Sequence, residues 1–322
     1  MKKGKFTILE VNILYFAMAL LLVFLGAYVQ SLNIKSGLLI TEYILVLLPV
    51  VIILKLKHIN LKSFLRLNKL KLKHGSIIVL ATLCIYPVAM FFNLIMLTIL
   101  SCFGLNIEPV PIPTADSLIQ YIVLFFIIAV SAGICEEVFF RGLLLRVYEK
   151  KSKMSGLVIT AILFGLFHFN LQNLIGPIVL GLVFGYLVQI TDSIYAGIIG
   201  HITNNGFAVT LMYVSNVLQG RLSEYGDMPV DSTVLNTAKL FMATIMIGVI
   251  AAITGGIAYL LIRVIKNDIN LSKCVDDETS IENISNQQEI IIKEEKFILL
   301  KFIPILLVIV MYVVFSVLRY SK

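Results

Sequence analysis

Charge is scarce in this chain and tryptophan is absent: 14% of the 322 residues are Asp, Glu, Lys or Arg, none is Trp, and 59% are hydrophobic. With a mean hydropathy of +0.97, so little charge excludes an ordinary soluble domain, in which about 25% of residues are charged. Alternation of apolar and polar residues is missing as well. That excludes a transmembrane barrel, whose strands alternate over about 10 positions. The four cysteines, Cys84, Cys102, Cys135 and Cys274, are scattered without a CxxC pair and read as unpaired packing residues. No internal repeat of the inverted-repeat transporter kind is visible. The first apolar run lacks a small-residue cleavage site and is as long as a full span, so it reads as a retained anchor.

What remains is a series of apolar runs, each long enough to cross ~30 Å of hydrocarbon as a helix. They fall near 11–30, 37–54, 76–100, 118–145, 155–170, 174–190, 194–216, 239–263 and 297–318. The expected fold is an all-α, polytopic transmembrane bundle of eight or nine spans, the short fifth and sixth leaving that choice open. A net charge of +7 does not point to nucleic acid, because the bases sit in short loops rather than on one face. Lys2, Lys3 and Lys5 precede the first run, seven Lys and Arg without an acid fill 55–74, and Arg146, Lys150, Lys151 and Lys153 follow the fourth run. All three segments fall on one side of a nine-span topology, which predicts a cytoplasmic amino terminus. Residues 267–296, with Asp268, Asp276, Asp277, Glu278, Glu282 and Glu289, read as a flexible cytoplasmic linker. The chain divides accordingly into N-terminal helices with a basic loop (1–117), a central part (118–216) and C-terminal helices with the polar linker (217–322).

Against this background a few ionisable residues stand out, because each costs about 2.5–3.5 kcal/mol to insert and needs a partner, a cavity or a function. Glu136, Glu137 and Arg141 lie in a segment otherwise apolar from Ile119 to Leu145. Residues four apart share a helix face, so Glu137 and Arg141 are the expected ion pair, and the adjacent Glu136, turned by about 100°, is free to face a cavity as a general base. Two of the four histidines, His58 and His74, sit in the basic loop; His168 and His201 are expected in spans. His201 and Asn205 share a face and can point two neutral donors at one oxyanion. Counted from the cytoplasmic ends at 1.5 Å per residue, Glu136, His168, His201 and Asn205 lie at roughly 14, 20, 10 and 17 Å, one layer in the cytoplasmic half. Repeated glycines from Gly133 to Gly206, with Gly181 and Gly185 four apart, predict close helix packing there. Pro87, Pro177 and Pro304 are expected as kinks or span starts.

The segments E136-E137-V-F-F-R141, F164-G-L-F-H168 and H201-I-T-N-N205 occur in that order and resemble the three motifs of the CAAX-protease and bacteriocin-processing family, the Rce1-like or Abi group of intramembrane proteases. The resemblance covers about residues 118–216. It implies that this stretch is a catalytic core, that Glu136 and His168 activate a water, with Glu137 a possible second catalytic carboxylate, and that His201 and Asn205 stabilise the oxyanion, while Arg141 is structural. Glu136, His168 and His201 could hold Zn²⁺ or could act without a metal; HExxH, the usual zinc-protease helix, is absent. The implied partner is a membrane-associated or lipid-anchored protein or peptide at the bilayer, and nucleic acid is not one. Two functions stay open: an intramembrane endopeptidase, and a non-catalytic immunity or scaffold protein using the same buried network, since the family is linked to bacteriocin self-protection. Buried Glu and His would also suit a proton-coupled transporter, against which the lack of repeat symmetry stands. The Lys- and Ile-rich, Trp-free composition suggests a bacterial plasma membrane.

Overall fold

The computed structural model describes residues 6–105, 107, 113–223, 237–279 and 300–320. Among these residues there are no strands; the chain is an all-α bundle. Its main helices are α1 (Ile8–Leu32), α2 (Ile34–Leu56), α3 (Leu72–Cys102), α4 (Leu118–Tyr148), α5 (Lys153–Leu166), α6 (Ile175–Thr191), α7 (Ile194–Ser223), α8 (Thr237–Thr279) and α9 (Ile303–Tyr320). Seven of the described helices are long and apolar enough to cross a bilayer, so the chain is an integral, multi-pass membrane protein. The two that fall short are informative. α5 has 14 residues, about 21 Å at 1.5 Å each, less than the hydrocarbon thickness. α7 is long, but His201, Thr203, Asn204 and Asn205 lower its hydropathy.

Local chemistry sets the helix ends. Thr7 and Glu10 form a reciprocal capping box that opens α1: the Glu10 amide donates to Thr7 Oγ1 (3.2 Å) and the Thr7 amide donates to Glu10 Oε2 (2.8 Å). Asn33, extended between α1 and α2, breaks the path and accepts from the amides of Lys35 and Ser36. Pro177 and Pro304 fall in first turns, where an amide N–H has no helical partner, and Pro87 lies inside α3. Asp192, at φ 47°, ends α6 in the left-handed region.

The fifth apolar run is shorter than expected. α5 stops at Leu166, and Phe169 takes φ 45°, so His168 lies in the turn beyond the helix rather than in a span. At the other end of the chain, α8 continues through the first part of 267–296 as far as Thr279, because nothing in that sequence breaks a helix once it is under way. Asp268 there accepts from Lys71, Lys73 and His74 at the start of α3, and His74 is itself buried. The rest of that segment, with Glu282 and Glu289, and the side chains of Cys274, Asp276, Asp277 and Glu278 lie outside the described residues, as do Lys2, Lys3 and Lys5 and residues 224–236 of the loop (217–238) left between the expected runs 194–216 and 239–263. α7 runs into that loop as far as Ser223. Cys84, Cys102 and Cys135 are free thiols, Cys135 buried and Cys102 exposed, so Cys102 is not a packing residue.

The core centres on α1, α4 and α5. Tyr15 packs with Phe139, Phe140 and Phe167 at ring separations of 5.6–6.4 Å and donates its hydroxyl to the Leu163 carbonyl (2.8 Å). One turn away, Asn12 accepts from Tyr148 (2.6 Å) and donates to the Lys301 carbonyl (2.7 Å). These bonds tie α1 to α4, α5 and the approach to α9, satisfying polar atoms that hydrocarbon would leave unpaired. The outer helices differ: α8 and α9 show large apolar side chains such as Met246, Ile253, Val310 and Val317 on their outer surfaces, which suits contact with lipid.

Candidate active site

Glu136, Glu137 and Arg141 occupy the middle of α4, where ordinary α turns at Ala132–Glu137 lie between wider i→i+5 turns at Phe125–Ser131 and Val138–Leu144. Such wide turns recur at functional sites because they re-aim side chains without breaking the helix. The expected pair is present: Arg141 Nη1 donates to Glu137 Oε1 at 2.7 Å, with both side chains buried. Arg141 Nη2 donates to the Gly181 carbonyl on α6 (3.3 Å), and its guanidinium lies 4.5 Å from the Phe164 ring centre and 5.9 Å from that of Phe184. Gly181 meets the backbone of Ala161 on α5, where a β-carbon would come within 2.9 Å of the Ala161 Cα. A small residue there lets α5 and α6 close around the arginine.

Glu137 Oε1 is shared. His201 on α7 places Nδ1 3.0 Å from it, and a carboxylate bound to arginine is an acceptor, so Nδ1 carries the hydrogen. In a neutral His201 the other nitrogen, Nε2, is then a lone pair; only the imidazolium donates from both nitrogens. The ring is held between Phe184, stacked at 5.8 Å, and Phe164, edge-on at 5.7 Å. Its Nε2 lies 3.9 Å from Glu136 Oε2, beyond direct hydrogen bonding but within reach of one bridging water. The Glu136 side chain is 13% exposed, and its Oε2 is buried with no protein partner. Glu137 Oε2 is also unpartnered and lies against Gly197, where a β-carbon would collide with it.

The other two predicted residues are placed differently. His168 is exposed; its Nδ1 is 2.9 Å from the Phe164 carbonyl, an acceptor, which leaves Nε2 open. Among the described residues it makes no hydrogen bond or ion pair with Glu136 or His201. What joins them is Phe164, whose ring lies 5.1 Å from His168 and 5.7 Å from His201, both edge-on. Asn205 donates from Nδ2 to the Ile128 carbonyl in the first wide turn of α4 (3.1 Å), which occupies one of its two amide hydrogens, and accepts from Asn204 (3.0 Å). Thus Glu136, Glu137, Arg141 and His201 form one contact group, with Asn205 one turn along α7 and His168 at the rim.

Glu42 was not among the expected site residues. It lies in α2, is buried, has an unpartnered Oε2, and belongs to a wide turn, Ile40–Leu47, that packs against the Ala132–Glu137 turn of α4. The signal that singled out Glu136 was available: Glu42 is the one acid in the apolar stretch 37–54. Phe164 and Phe184, which wall the histidine and the arginine, carry no such signal, because apolar residues are ordinary in these helices.

Among the described residues, no three His, Cys, Asp or Glu side chains are grouped so as to hold a metal ion. Glu136, His168 and His201 therefore do not fit a preformed three-ligand metal centre in this geometry.

No curated protein and no solved structure matches the chain. Residues 118–207, a stretch that spans all three motifs, match the family model of the Rce1-like type II CAAX prenyl endopeptidases, a family of protease-like hydrolases and the one the motifs resemble.

Proposed function

We propose that this protein is an intramembrane endopeptidase, with 118–216 as its catalytic core, that hydrolyses a peptide bond of a membrane-associated or lipid-anchored protein or peptide. The observation that carries the reading is the pair of unspent groups at the centre of the buried set. Glu136 Oε2 and His201 Nε2 face each other across 3.9 Å, while Glu137 holds the other side of the imidazole. In the proposed step, Glu136 takes a proton from a water as the water oxygen bonds to the substrate carbonyl carbon. The carbonyl oxygen becomes an oxyanion. His201 as imidazolium donates to it from Nε2, with the second amide hydrogen of Asn205. The C–N bond then breaks, and the proton held by Glu136 passes to the leaving nitrogen. His168, with an open Nε2 at the rim, assists proton exchange. Arg141 and Glu137 fix the tilt of His201, Glu137 accepting from Nδ1 so that Nε2–H is aimed at the oxyanion, in the way that second partners fix catalytic histidines.

The test is cleavage of a membrane-peptide library by the full chain in liposomes, with and without chelator. Glu136→Ala and His201→Ala are expected to abolish cleavage while the protein still inserts; full activity in Glu136→Ala would overturn the proposal. Protection against a bacteriocin that survives both substitutions would assign the chain to the non-catalytic immunity alternative.

A further inference from the structure

α7 turns a further polar residue, Asn204, toward the candidate site. At about 100° per residue, Gly197, His201 and Asn204 fall within an arc of about 60° on that helix, and Gly200 lies about 40° beyond Asn204. The neighbours of these positions show what the face meets. His201 Nδ1 lies 3.0 Å from Glu137 Oε1, a β-carbon on Gly197 would come within 2.4 Å of Glu137 Oε2, and one on Gly200 within 2.8 Å of the Phe184 ring. Asn204 is therefore on the face between Glu137 and Phe184, about 4.5 Å further along the axis than His201. It is 9% exposed, and its Oδ1 is buried without a protein partner.

A chain of hydrogen bonds fixes which end of that amide is open. The Ile128 carbonyl can only accept, so the Asn205 atom 3.1 Å from it is the amide nitrogen. Asn205 then presents Oδ1 to Asn204, and the Asn204 atom 3.0 Å away is its Nδ2. Turning either amide over would set like atoms against each other. Asn204 is left with Oδ1, an uncharged acceptor held from α4 through two side-chain amides. A buried acceptor without a donor is costly, and the donors nearby are engaged. Arg141 is bound to Glu137 and Gly181, His201 to Glu137, and the Thr203 hydroxyl donates to the Ile199 carbonyl (2.7 Å).

An extended peptide in a water-poor site brings N–H groups on both sides of the bond to be cut, and each needs an acceptor. In the proposed step His201 and Asn205 serve the carbonyl oxygen, and Glu136 serves the water. We propose that Asn204 Oδ1 is a substrate-binding acceptor that takes a hydrogen bond from one main-chain N–H flanking the scissile bond. The site then selects peptides with a free N–H at that position and refuses proline there. That the bound peptide is cut rests on the hydrolase reading above; the contact itself does not. A bond made equally in the bound substrate and in the transition state acts on KM and leaves kcat alone.

The probe is the member of the membrane-peptide library that binds the Glu136→Gln chain most tightly in liposomes. It is resynthesised with one backbone amide at a time replaced by an ester, which removes an N–H and adds no bulk. Dissociation constants are read on Glu136→Gln alone and combined with Asn204→Leu, which keeps the volume and loses the acceptor. Asn204→Ala serves should Asn204→Leu fail to fold, and Thr203→Ala is the neighbouring control. One ester position is expected to weaken binding about ten-fold, the worth of one neutral hydrogen bond. That ester makes no difference in either Asn204 variant, and Thr203→Ala keeps the full penalty. With Glu136 intact, Asn204→Leu raises KM about ten-fold with kcat unchanged. Binding of no library peptide, the absence of a single sensitive position, or a penalty that persists in the Asn204 variants would overturn the contact. If Glu136→Ala abolishes cleavage while the penalty persists without Asn204, the contact fails and the hydrolase stands. If the penalty vanishes with Asn204 while Glu136→Ala still cleaves, the hydrolase fails and the contact stands.

Discussion

Two buried arginines organise this protein, and what surrounds them differs. Arg66, between α2 and α3, takes φ 54° and reaches Asp192 through Nε (2.8 Å) and Glu149 through Nη2. Every carboxylate oxygen in that cluster has a partner: Glu149 also accepts from Arg146 and Gln189, and Asp192 accepts from Asn68. The backbone is tied in too, as the Ile194 amide donates to the Arg66 carbonyl and Ser193 donates to that of Asn68. The cluster gathers the loop after α2, the end of α4 and the start of α7 at one end of the bundle. Around Arg141, by contrast, Glu42, Glu136 and Glu137 each keep an unpartnered buried oxygen. A clasp uses its lone pairs to hold chain segments together; a site that must accept a proton keeps some unspent.

Replacing Glu136 by Gln tests this contrast where the expected effect is largest. The side chain keeps its shape and loses its basicity, so cleavage should fall by about 10²–10⁴-fold, the usual worth of a general base, while the melting temperature at neutral pH holds or rises. A matching fall in both would mean that Glu136 belongs with the clasp. Arg141→Met comes next. It strands Glu137 in the interior, and the expected destabilisation is about 3–5 kcal/mol, read as a lower melting temperature in detergent. Cleavage should disappear with it, because His201 loses the anchored carboxylate that orients it. Arg141→Met with Glu137→Leu should recover much of the stability and none of the activity.

How much of this could be read from the residues follows the same division. The all-α bundle was legible because apolar runs near 20 residues have few other uses, and the Glu137–Arg141 pair was legible from i,i+4 spacing even though the turn between them is wider than an α turn. The proximity of Glu136 to His201 needed the packing of α4 on α7. The turn after α5 was missed because Phe167 and Phe169 extend the apolar run past the last helical residue; hydropathy sees the run and not the left-handed Phe169. Glu42 was missed for another reason: a lone acid between Gly37 and Leu54 has no spaced partner in its own helix to draw attention to it. The Arg66 clasp was equally hidden, since a basic loop reports topology and says nothing about which base turns inward.

The clasp supplies the smaller effects. Arg66→Ala leaves Glu149 buried, but Asp192 is 64% exposed and readily hydrated, so about 2–3 kcal/mol is expected, less than for Arg141. Cleavage should weaken only as far as the start of α7 shifts. At the bottom of the scale stands Lys73→Ala. Lys73 and Lys71 both reach Asp268, at 3.0 and 3.3 Å, but their side chains are 62% and 59% exposed. Ion pairs so open to water gain little and are screened by salt. Lys73→Ala should leave the melting temperature unchanged within error, and wild type should be equally insensitive to added salt at this contact, because His74, buried beside Asp268, still holds α8 to α3. A clear loss of stability in Lys73→Ala would mean that exposed charges also carry the fold, and the line drawn between spent and unspent carboxylate oxygens would then have to rest on burial alone.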